Sequence, residues 1–70
     1  MYIYPKTEAR LSDDGLALFV GRPGNDGIEF AYRVRASGIW AWYPQEGEWR
    51  RVANDMDELD RNWRSSSMTV

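Results

Sequence analysis

The chain has 70 residues, 43% hydrophobic and 29% charged, with eleven acidic and nine basic side chains for a net charge of −2. That length holds one domain of the smallest self-sufficient kind, so residues 1–70 are read as a single unit, with a loose tail over 65–70. Having neither cysteine nor histidine, the chain lacks disulfides, thiolate-bound zinc and the commonest general base. No apolar stretch exceeds six residues, and the start MYIYPKTEAR lacks a basic region followed by an apolar one. The expectation is a cytoplasmic protein with no membrane partner.

Ten aromatic side chains (four Trp, four Tyr, two Phe) are the means by which so short a chain fills a core. In chain order, Tyr2 to Tyr4 reads as a strand stopped by Pro5, followed by an extended Glu8 to Leu11. Ser12-Asp13-Asp14-Gly15 then carries the Asp-Gly pair of a hairpin turn. Leu16 to Val20 is the next strand, and Gly21 to Gly27 is a glycine-rich loop. Ile28, Phe30, Tyr32 and Val34 alternate with Glu29, Ala31, Arg33 and Arg35, the period of a strand with one buried face. Ile39 to Tyr43 and Glu48 to Ala53 complete the strands, joined by Pro44-Gln45-Glu46-Gly47, which pairs Tyr43 with Glu48 and Trp42 with Trp49.

The period then changes. Asn54 reads as an N-cap, with Asp55, Asp57 and Glu58 in a first turn where the helix dipole favours anions. Met56, Leu59 and Trp63 recur on one face, and Arg61 and Arg64 close a helix running from Asp55 to about Ser65. Asp57 with Arg61 and Asp60 with Arg64 are acid-before-base pairs four residues apart. The fold class is therefore α+β, an antiparallel meander of four to five strands with one C-terminal helix on one sheet face.

The turn between the third and fourth of these runs decides which face holds the tryptophans. A two-residue turn at Ser37-Gly38 puts Trp40 and Trp42 beside Arg33 and Arg35 as an exposed ladder. A three-residue loop Ala36-Ser37-Gly38 puts them with Phe30 and Tyr32 instead, since a slip of one residue moves every side chain to the other face. Gly in third place suits the three-residue loop. That reading is preferred because it yields an apolar face of Ile28, Phe30, Tyr32, Val34, Trp40, Trp42 and Trp49 beneath the helix. The opposite face, with Arg33, Arg35, Tyr43 and Arg50, is then open to a partner.

Catalytic motifs are absent from the sequence, and no cofactor or metal is expected. Asp55, Asp57 and Asp60 lack the pattern of a calcium loop and are explained by capping. The expected function is a non-catalytic protein-binding module that uses Arg33, Arg35, Tyr43 and Arg50. Asp55, Asp57, Glu58 and Asp60 form a second edge able to imitate phosphates toward a basic groove. Many phage and mobile-element proteins that inhibit a host machine share this small, acidic, aromatic-rich composition. The alternatives are a single-stranded nucleic-acid-binding sheet using Arg33, Arg35, Arg50 and Tyr43, disfavoured by the net charge, and a structural homodimer.

Overall fold

The computed structural model describes residues 1–24 and 27–65. It contains β1 (Tyr2–Ile3), β2 (Arg10–Leu11), β3 (Ala17–Arg22), β4 (Glu29–Arg33), β5 (Ala36–Tyr43), β6 (Glu48–Ala53) and α1 (Met56–Arg64). The antiparallel sheet has the order β1-β3-β4-β5-β6, and β2 shares the outer edge of β3 with β1. This is the expected α+β meander with a C-terminal helix. Asn25 and Asp26 of the glycine-rich loop, and the expected tail past Ser65, lie outside the described residues.

Local chemistry explains most of the elements. The Asp14-Gly15 turn closes the β2–β3 hairpin, with Gly15 in the left-handed region and its N–H bonded to the Ser12 carbonyl at 2.9 Å. The Pro44–Gly47 connection is the expected four-residue turn. Its Gly47 N–H donates to the Tyr43 carbonyl at 2.8 Å, and Tyr43 faces Glu48 while Trp42 faces Trp49. The helix starts one residue later than expected, because Asp55, in extended conformation, is the N-cap. Its carboxylate accepts the Glu58 N–H at 2.8 Å, while the Glu58 side chain reaches back to the Asn54 N–H.

The β4–β5 connection departs from expectation. The chain turns at Val34-Arg35, so that Arg33 pairs with Ala36; a two-residue shift at Ser37-Gly38 then pairs Tyr32 with Ile39, and Ala36–Gly38 belong to β5. Arg35 adopts a left-handed φ of 67°, which costs an L-residue about 1–2 kcal/mol. Gly38 is spent on a close approach instead of a loop. A side chain there would lie 2.7 Å from the Ala53 carbonyl oxygen and 2.8 Å from Arg51 Nε. Around it, Trp40 Nε1 and Arg51 Nε both donate to the Ser37 carbonyl, at 3.1 and 3.3 Å.

This register inverts the expected faces. Trp42 pairs with Glu29 and Trp40 with Ala31, so the indoles of Trp40, Trp42 and Trp49 lie on the side away from the helix. Under α1 sit Phe30, Ile39, Ala41, Tyr43 and Ala53, with Leu59 fully buried among them and Met56 and Trp63 packed at the margin. Ala41 and Ala53 are small, which lets the helix approach the sheet where an indole would hold it off.

Substituting Gly38→Ala combines the left-handed penalty with a backbone clash, whereas Gly15→Ala meets no atom within 4 Å. Gly15→Ala is expected to cost about 1 kcal/mol and Gly38→Ala clearly more. Denaturant midpoints of the two variants check the order.

Candidate functional site

The binding face expected from Arg33, Arg35, Tyr43 and Arg50 is not assembled. Tyr43 is buried on the helix side, where the Arg50 guanidinium stacks on its ring at 4.3 Å and pairs with Glu48. Arg33 is on the other face, and Arg35 is in the β4–β5 turn. The register at Val34-Arg35 is the cause. A nucleic-acid platform built from these same four residues loses its common plane for the same reason.

Nor does the acidic edge present four free carboxylates. Asp55 caps the helix, Glu58 holds Asn54, and Asp60 pairs with Arg64 at 3.0 Å. Asp57 remains exposed, with its backbone carbonyl, not its carboxylate, accepting from Arg61 Nε. Among the described residues no group of three acidic side chains is arranged to hold a metal ion.

Two other surfaces are formed. On the helix side, the registers place Leu11, Leu18, Tyr32, Ile39 and Ala53 in one row across β2, β3, β4, β5 and β6. Burial divides this row. Ile39 and Ala53, beneath the helix, are 0% and 3% exposed, whereas Tyr32, Leu18 and Leu11 are 42%, 37% and 64% exposed. At the same end of the sheet, exposed Leu16 and Val34 are tied by a hydrogen bond from the Val34 N–H to the Leu16 carbonyl, 2.9 Å. Exposed apolar residues scattered singly are ordinary, but five brought together at one end of a sheet are not.

The second surface is the indole side. Phe19 stacks on Trp49 at 6.1 Å between centroids, and Trp49 meets Trp42 at 5.1 Å. Arg33 lies over both Trp40 and Trp49, at 4.9 and 4.8 Å, and Arg10 lies over Phe19 at 4.7 Å. Because Ala17 and Ala31 are small, a groove of about 380 Å³ opens between Phe19, Trp42, Trp49 and the Ser12–Leu16 turn.

The outer hairpin is fastened over this side by Glu29. Arg10 gives its carboxylate two bonds, at 2.6 and 2.8 Å, and the Tyr4 hydroxyl gives a third at 2.7 Å. The Arg10 bond holds the Glu29 carboxyl below its ordinary range against the opposing effect of burial, and Tyr4 adds to it. Arg10 is correspondingly raised, first by the same bond. Burial, then the bond to Glu29, raises Tyr4. The sequence reading put Glu29 on the same face as Arg33 but found no partner for it in Arg10 or Tyr4, both distant in sequence.

No protein-family model, curated protein or solved structure matches this chain.

A carboxyl whose pKa is lower in the folded state stabilises the fold fully above its unfolded value of about 4.3, and that contribution disappears as pH falls through the lower, folded value. Glu29→Gln is therefore expected to be less stable than the parent at neutral pH, and the difference shrinks once the solution is more acidic than the folded-state pKa. Urea midpoints measured for both proteins across the acid range check this convergence.

Proposed function

We propose that the protein is a non-catalytic protein-binding module that docks an amphipathic helix of its partner beside α1. The observation that carries the reading is the split burial of the row from Leu11 to Ala53. One helix covers the β5–β6 end, and the β2–β4 end has the same apolar composition without a cover. A sheet face of this kind is normally buried against a second element. The nine residues of α1 make a helix about 14 Å long, and such a helix is about 10 Å across, so a second one has room beside it on a sheet this wide.

Apolar anchors at i, i+3, i+4 and i+7 of the incoming helix match the exposed side chains of Leu11, Leu18 and Tyr32. Arg35, exposed at the adjoining β4–β5 turn, sets a positive charge beside the strip. Covering a helix that the partner needs elsewhere is the way such a module inhibits. The lack of histidine and cysteine supports the non-catalytic part of the reading.

Selection of displayed helical peptides against the protein, followed by binding to variants, tests this reading. Selected peptides are expected to carry the helical apolar spacing, to shift backbone resonances around Leu18 and Tyr32, and to weaken at least about tenfold on Leu18→Asp or Tyr32→Asp. Thermal unfolding of these variants reports whether they remain folded. Peptides that bind the folded variants undiminished, or that map to another face, contradict the assignment.

A further inference from the structure

The groove on the indole side meets the apolar strip at its rim, where Leu11 and Leu16 line it, but has a different chemistry. It is lined by Ala17, Phe19, Trp42 and Trp49, together with Arg33 and with Asp13 and Asp14 of the β2–β3 turn. Most of the charge around it is already engaged. Arg10 is neutralised by Glu29. Asp14 accepts from the Ser12 hydroxyl and the Leu16 N–H, which lower its pKa.

Arg33 differs from these. Its guanidinium is held by two indole faces, and no carboxylate or carbonyl among the described residues accepts a hydrogen bond from it. Stacking orients the plane of a guanidinium while leaving its N–H donors unused. The side chain is half-buried, so a carboxylate meeting it does so with less water screening than at an open surface. Asp13, which makes no ion pair among the described residues, also lines the groove.

We infer that this groove binds an acidic segment of a protein chain, with one Glu or Asp carboxylate on Arg33 and a neighbouring apolar side chain on Phe19, Trp42 and Trp49. Asp13 is placed to accept a backbone N–H of the same segment. The charges select against a nucleic-acid strand. Among the described residues Arg33 is the one cation lining the groove without a carboxylate partner, enough for one carboxylate, whereas a phosphate chain needs several cations on its path.

Three indoles form or flank the site, so intrinsic tryptophan fluorescence reports its occupation. The probe is acetyl-Leu-Glu-Leu-amide at low salt, with acetyl-Leu-Gln-Leu-amide and oligothymidylate as comparisons. The glutamate peptide is expected to give a saturable change that weakens with salt, and the glutamine peptide to bind about tenfold more weakly or worse. Arg33→Met is expected to lose the preference for glutamate over glutamine, Arg33→Lys to keep part of it, and Leu18→Asp to leave it intact. This last variant separates the groove from the apolar strip. No saturable change with the glutamate peptide, equal binding of the two peptides by the unaltered protein, or tighter binding of oligothymidylate overturns the proposal. The peptide comparison decides even if the Arg33 variants unfold.

Discussion

The pairing of Tyr32 with Ile39, set by the turn at Val34-Arg35 together with the register shift at Ser37-Gly38, is the constraint on which the rest of the molecule depends. Because strand side chains alternate with a period of two, this register assigns every residue of β5 and, through the Trp42–Trp49 pair, every residue of β6 before its bulge to a face. It places Ile39 and Ala41 under the helix and sends three indoles to the other side. The helix then needs no strand indole beneath it, its own Trp63 packing at the margin, and the strand indoles need no helix. Trp49 packs on Phe19 and Trp42, the Arg33 guanidinium covers Trp40 and Trp49, and Arg10 covers Phe19.

A small chain divides its apolar material in this way at a cost. Neither side is fully covered by the described residues. The helix side is sealed over β5 and β6 and open over β2 to β4. The indole side is sealed by the latch of Arg10 and Tyr4 on Glu29 at one end and open as a groove at the other. Two partly finished faces on one sheet are the physical basis for reading the protein as something that contacts others. The faces differ in kind, since one offers aliphatic and tyrosyl surface and the other an oriented guanidinium over aromatic rings.

Much of the fold was legible in the sequence where local chemistry decides it. Asp14-Gly15 marks a hairpin whatever surrounds it, Pro44 to Gly47 sets the β5–β6 register, and Met56, Leu59 and Trp63 mark the buried side of the helix. The β4–β5 turn was not legible, because Val34-Arg35 has no turn-forming residue and Ala36-Ser37-Gly38 does. What settles it is tertiary. Gly38 allows the Ala53 carbonyl and the Arg51 side chain to come close, and Ser37 gathers the Trp40 and Arg51 donors. A turn whose cost falls on Arg35 is offset by contacts of Ser37 and Gly38 with Arg51 and Ala53, far along the chain, which no local pattern records. Of the expected site residues, Arg33 is the one that lines the indole-side groove. The Leu11–Leu18–Tyr32 strip follows from the hairpin register, but it gains meaning only once the extent of the helix is known.

The most direct measurement is the set of proton–proton contacts of the indoles in a nuclear Overhauser spectrum of the full chain. The account predicts contacts between the Trp42 and Trp49 rings and from Trp49 to Phe19, together with contacts from the Leu59 methyls to Phe30 and Ile39. Contacts from the Leu59 or Met56 side chains to Trp40, Trp42 or Trp49 would place the indoles beneath the helix and contradict it.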